Sequence, residues 1–208
     1  MGLPVEVLEA ISAADVVVFE GFEMTGKSYL AKQINQDYDS ILYRPDWEGS
    51  MTDKVVSRGN RYIPGLAALG LWKQFHSYLL EHGQSPKLLI DRWMAVSYVY
   101  QILYNQQSDA MSLDNLVQAH HSAAEGLNVI IIHKQHEDEH EARRMYEISS
   151  GSADHSDIYD RFDDFDTYYR SYLKFNDTYL EFYQNHCHFP TYLVSSLGNK
   201  LLDRRNVE

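Results

Sequence analysis

Gly21-Phe22-Glu23-Met24-Thr25-Gly26-Lys27-Ser28 reads G-x-x-x-x-G-K-S, and its surroundings decide the fold. Upstream, Val16-Val17-Val18-Phe19-Glu20 is a continuous apolar run of the kind that forms a strand buried on both faces. Downstream, Tyr29-Leu30-Ala31-Lys32-Gln33-Ile34 sets Leu30, Ala31 and Ile34 at helical spacing. A strand, a glycine-bearing loop and a helix N-terminus make an anion cradle, because loop N–H groups converge and the positive end of the helix dipole favours phosphate. Gly21 and Gly26 permit a backbone path and a close approach that a side chain would block. The segment from Gly21 through Phe22, Glu23, Met24, Thr25, Gly26, Lys27 and Ser28 to Tyr29 is therefore expected to hold a nucleotide. Lys27 would reach the β- and γ-phosphates, and the Ser28 hydroxyl would ligate Mg²⁺.

Outward from this loop the chain alternates between strand and helix patterns. Short helical spacing covers 3–14, and the helix after the loop runs to about Asn35. Ser40-Ile41-Leu42-Tyr43-Arg44 is a second strand stopped by Pro45, and 45–63 reads as an irregular loop. A long amphipathic helix covers 64–82, closed by Gly83, and Lys87-Leu88-Leu89-Ile90-Asp91 is a third strand ending in an acid. Helices follow at 94–106 and 112–125, and Asn128-Val129-Ile130-Ile131-Ile132 is a fourth strand. A polar stretch contains one helix near 138–149. A Tyr- and Phe-rich helix covers 164–186, and Pro190-Thr191-Tyr192-Leu193-Val194 is a fifth strand before a last helix. Strands separated by helices cannot pair as hairpins and require right-handed crossovers. The expectation is one α/β domain over 1–208, a three-layer α/β/α build on a parallel sheet.

Composition narrows the class. The 208 residues are 44% hydrophobic and 13% aromatic, which is the profile of a folded globule. A formal charge of −12 repels nucleic acid and anionic membrane at long range. The single cysteine, Cys187, excludes an internal disulfide and suits a reducing compartment. No apolar run approaches a membrane span, so a cytoplasmic, soluble location is expected.

With these elements in order, the chain resembles the thymidylate kinase family, whose sheet is a five-stranded parallel one. Phe19-Glu20-Gly21-Phe22-Glu23 leading into Gly26-Lys27-Ser28 is similar to the family's phosphate loop, with an acid two residues after the first glycine. Tyr43-Arg44-Pro45 looks like a reduced Arg-Glu-Pro segment. Asp91-Arg92-Trp93-Met94-Ala95-Val96-Ser97-Tyr98-Val99-Tyr100-Gln101 resembles the family's Asp-Arg-aromatic stretch followed by Ser and Tyr-Gln. Arg143-Arg144, then Asp160-Arg161-Phe162, resemble a lid, placed at about 135–162. Virus-encoded members of the family are included in the likeness, and for these the host cytoplasm is the expected location.

The resemblance implies roles that the chemistry of each residue supports. Asp91 would hold Mg²⁺ or orient the acceptor, and Arg92 offers a planar fork for an acceptor anion. Arg143 and Arg144 would swing over the ATP phosphates, while Glu23 would face the acceptor sugar and Arg44 the acceptor. Ser97, Tyr100 and Gln101 would meet a thymine-like base, Ser97 and Gln101 one helical turn apart. The family's base-reading arginine on the long helix is absent, and Trp72 or Phe75 is left to stack on the base.

The implied activity is transfer of the γ-phosphate of ATP to a deoxynucleoside monophosphate with a thymine-like base. One alternative keeps the fold and phosphorylates the hydroxymethyl group of 5-hydroxymethyluracil in viral DNA. The missing arginine leaves room for that acceptor, and the charge of −12 opposes a DNA partner. A non-catalytic nucleotide-binding regulator is the third reading, opposed by the full set Lys27, Ser28, Asp91 and Arg92. The resemblance also implies a homodimer through helices. His136-Glu137-Asp138-Glu139-His140 matches H-E-x-x-H by letter, but it directly follows a strand in a charged stretch, so an acidic turn at a helix start is expected rather than zinc. Cys187 and the tyrosines from Tyr168 to Tyr183 are assigned to packing.

Overall fold

Val16–Glu20 forms β1, buried at every position, and the rest of the sheet is built outward from it. In the computed structural model, which describes residues 2–43, 63–104, 113–150, 162 and 164–206, β1 pairs in parallel with β3 (Lys87–Asp91) on one side and β4 (Val129–Gln135) on the other. β2 (Ser40–Tyr43) continues the parallel sheet beyond β3, and β5 (Thr191–Ser195) continues it beyond β4. The crossovers are helical, as the spacing between strands requires.

The period-2 alternation of β1 sorts its side chains onto two cores. Val17 and Phe19 face a layer made by α1 (Val5–Ala13) and α2 (Lys27–Asp37), with Val7, Ile11, Leu30, Ala31 and Ile34 buried there. Val16 and Val18 face the opposite layer of α3 (Ile63–Glu81), α4 (Met94–Tyr104), α5 (Leu113–Ala124) and α7 (Phe165–Asn185). α6 (Glu139–Ser150) joins this second layer through Ala142. The result is the expected three-layer α/β/α arrangement.

One element departs from expectation. The segment after β5 is not a helix but a sixth strand, β6 (Leu201–Arg205), antiparallel to β5. Ser195 N donates to Lys200 O at 2.8 Å and Lys200 N to Ser195 Oγ at 2.9 Å, so the chain reverses in a hairpin with Asn199 at φ 51°. Among the described residues the sheet is therefore six-stranded, order β2-β3-β1-β4-β5-β6, with five parallel strands and one antiparallel edge. Lys87 at the start of β3 sends its ammonium to Ser12 O and Ala14 O, both at 2.7 Å, satisfying carbonyls at the end of α1. Glu6 of α1 pairs with Arg204 of β6. No helix among the described residues is long and apolar enough to cross a membrane.

Candidate functional site

The loop between β1 and α2 has the shape its glycines allow. Gly21 sits at φ 136°, and a Cβ there would collide with the backbone carbonyl oxygen of Lys134 on β4, so both conformation and space demand glycine. Gly26 is the N-cap of α2 in the left-handed region, φ 80°. Met24 also lies at φ 60°, an uncommon conformation for a residue with a side chain. Phe22 anchors the loop from below, its ring 4.7 Å from Phe175 and 5.7 Å from Tyr168. Thr25 Oγ1 and Lys27 Nζ both donate to Phe22 O, at 2.9 and 3.0 Å. Lys27 is thus folded back on the loop, only 3% exposed. Burial pulls its pKa down to about 8, with the Arg92 charge acting in the same sense and Glu23, Asp91 and Glu20 opposing.

Across from the loop lies the end of β3, brought there by parallel register, Phe19 opposite Asp91. Asp91 is 2% exposed. Arg92 turns at φ 75°, its N–H donating to Phe19 O at 2.9 Å, and this kink aims the guanidinium at the loop. Its Nη2 donates to both Glu23 carboxylate oxygens, at 2.7 and 2.6 Å. Lys27 Nζ lies 4.0 Å from Glu23 Oε2. Glu23, Lys27, Asp91 and Arg92 therefore converge, as expected from their places in the sequence.

Glu20 completes the cluster, and the reading of the sequence gave it no role. It ends β1 fully buried, and its Oε1 accepts the Trp93 N–H at 2.8 Å at the start of α4. Burial, partly offset by the Trp93 and Val96 N–H groups and by Arg92 and Lys27, pushes its carboxyl up to about 7. An acid closing a uniformly apolar strand was the available signal, the same one that marked Asp91.

Other expected residues fall elsewhere. Ser28 is half-buried at the first turn of α2, and Tyr29 beside it is exposed. Arg143 on α6 pairs with Glu139 at 3.3 Å and lies 3.9 Å over the Phe165 ring, while Arg144 is exposed. α6 itself reaches the loop through Met145, whose Cε lies 3.7 Å from where a Gly26 Cβ would be. Trp72 and Phe75 lie on α3. His76, next to Phe75, lies 3.5 Å from Asp15, which precedes β1 at the end opposite the loop. Trp72 is buried against His76 and Phe75 is 47% exposed. Ser97, Tyr100 and Gln101 lie on α4, with side chains outside the described residues, as is all of Arg44. His136 of the H-E-x-x-H string is buried before α6 begins and bonds tyrosines of α7. No group of three or more His, Cys, Asp or Glu among the described residues is arranged to hold a metal. Mg²⁺ needs only one or two carboxylates beside substrate phosphates, and the hard oxygens of Ser28 and Asp91 suit it.

A G-x-x-x-x-G-K-S loop following the central strand of a largely parallel, helix-covered sheet gives the chain an α/β/α fold of the P-loop class. No protein-family model and no curated protein matches the chain. Among solved structures it is similar to the thymidylate kinase of Candida albicans, at 15% identity over 90% of this chain and 85% of that one, TM-score 0.46. It is similar also to the thymidylate kinase of Ehrlichia chaffeensis, at 13% identity over 90% and 91%, TM-score 0.41. A third is the deoxyadenosine kinase of M. mycoides, solved with bound dATP, at 14% identity over 87% and 91%, TM-score 0.46.

Proposed function

We propose that the protein is an ATP-dependent phosphotransferase that moves the γ-phosphate of ATP to a deoxynucleoside monophosphate with a thymine-like base. The observation that supports it is the convergence of Lys27, Asp91, Arg92 and Glu23 on one glycine-bearing loop at the C-terminal edge of the sheet. The loop and the N-terminus of α2 hold the donor phosphates, and Lys27 leaves Phe22 O to meet the β- and γ-oxygens. Arg92 exchanges its Glu23 partner for the acceptor anion and lines it up for in-line attack. Mg²⁺, held by Ser28 and Asp91, would neutralise phosphate charge. Arg143 and Arg144 of α6 add positive charge at the donor phosphates. Ser97, Tyr100 and Gln101 meet the base.

A second acceptor class is a hydroxyl, which needs a base to take its proton where a monophosphate oxygen does not, and Glu20 and Asp91 are the buried carboxyls at the strand ends beside the loop. The hydroxymethyl group of 5-hydroxymethyluracil in DNA is such an acceptor. We also infer a homodimer through α3, where Leu71, Phe75 and Tyr78 leave an exposed apolar stripe at helical spacing. The deciding experiment offers labelled ATP to all deoxynucleoside monophosphates in parallel with single- and double-stranded DNA containing hydroxymethyluracil. Label on thymidylate supports the first acceptor, label on DNA the second, and no transfer to any of them refutes both.

A further inference from the structure

The helix that packs under the phosphate loop also grips its backbone. Tyr168 of α7 donates its hydroxyl proton to Glu23 O at 3.0 Å. A carbonyl can only accept, so the Tyr168 oxygen is left to accept from His136 Nε2 at 2.7 Å, and this fixes the His136 tautomer with its proton on Nε2. His136 is itself held through its backbone, its N–H donating to Tyr172 OH at 2.9 Å and its carbonyl accepting from that hydroxyl at 3.3 Å. Tyr168 is fully buried and His136 5% exposed, so these bonds are shielded from competing water.

The bonded carbonyl belongs to the peptide between Glu23 and Met24. A trans peptide points its N–H opposite to its C=O, so a Glu23 carbonyl held toward α7 turns the Met24 N–H away from that helix. Met24 then follows at φ 60°, a shape an unrestrained side-chain-bearing residue leaves readily. We propose that Tyr168, oriented by His136, is a positioning residue that locks the Glu23–Met24 peptide so that the Met24 N–H is presented to a bound phosphate. This rests on the phosphotransferase reading for the identity of the ligand, but not for the locking of the loop. It also ties the loop to the junction between β4 and α6, because His136 is the residue immediately after β4.

The test is amide hydrogen exchange on the full chain together with titration of ATP–Mg²⁺. In Tyr168→Phe, which keeps the ring, exchange at Met24 and its loop neighbours accelerates about tenfold while α3 is unchanged, and the Kd for ATP rises about tenfold with kcat nearly constant. Tyr183→Phe, which removes another buried α7 hydroxyl, bonded to His133 rather than to the loop or to His136, leaves the loop at the wild-type rate. His136→Gln, which retains an N–H donor, keeps loop protection that His136→Leu loses. Unchanged loop exchange in Tyr168→Phe, or equal acceleration in Tyr183→Phe and across the sheet, would overturn the proposal by reducing Tyr168 to packing. A wild-type chain that shows the exchange effects yet binds no ATP supports the locking and refutes the phosphotransferase reading.

Discussion

Mild acid should destabilise this protein at a pH above the range in which ordinary carboxylates protonate. Burial holds His120, His133 and His136 to about 3, 4 and 3, so in the folded chain these rings stay neutral between pH 6.5 and 5. In the unfolded chain each takes up a proton near pH 6.5. The unfolded state therefore binds more protons in this window, and stability present above pH 6.5 is lost as pH falls. Glu20 works against the loss: raised to about 7, it is protonated in the folded state while its unfolded counterpart stays ionised to about 4.5. The net difference is about two protons, or roughly 3 kcal/mol lost between pH 6.5 and 5. That is a large share of the 5–15 kcal/mol, roughly, that stabilises a domain. Urea unfolding followed by fluorescence of the three tryptophans, two of them buried at Trp72 and Trp93, measures the slope directly. His120 offers the sharpest control. Neither of its ring nitrogens has a hydrogen-bond partner among the described residues, so His120→Leu sacrifices no bond and lowers the pH slope by about 1.4 kcal/mol per unit. A stability that is flat from pH 6.5 to 5, or a slope untouched by His120→Leu, would refute the reasoning.

Lys27→Ala should reduce phosphoryl transfer about a thousandfold or more in a steady-state assay with labelled ATP, leaving urea stability close to wild type or higher, since a buried ammonium is removed. Gly21→Ala should destabilise the fold by about 2–4 kcal/mol in the same urea titration, because the added methyl meets the Lys134 carbonyl in a backbone conformation foreign to alanine. Glu20→Gln should cut transfer to a hydroxyl acceptor by about a hundredfold or more and change transfer to a monophosphate much less, read by the ratio of kcat/KM for the two. Phe75→Glu should shift the chain from dimer to monomer by light scattering, with transfer to small acceptors retained.

What the sequence made legible was local. The run Val16–Glu20, the glycines and the Leu30/Ala31/Ile34 spacing each report on a few neighbouring residues, and the strand, loop and helix fall where those signals put them. Asp91 and Arg92 were legible for the same reason, since a charge ending a buried strand sits at a sheet edge. β6 was not, because Leu201-Leu202-Asp203-Arg204-Arg205 has no alternation of its own and becomes a strand only by pairing with β5. The placement of α3 shows a second limit. Helical spacing tells which residues share a face, but how far α3 slides along the sheet is set by tertiary contacts such as His76 with Asp15. The bond from Tyr168 to Glu23 spans 145 positions, and no pattern within α7 separates that tyrosine from the ones that merely pack.

The ion pair between Glu6 and Arg204 places the first helix beside the last strand. Joining residue 206 back to residue 2 with a short flexible bridge would therefore ask little of the native architecture, and fresh ends could be opened in the exposed turn at 82–85 between α3 and β3. Such a circular permutant would be synthesised with β3 and its Asp91-Arg92 turn ahead of the loop from Gly21 to Ser28. Its refolding rate against that of the parent would reveal which half of the cleft nucleates the other.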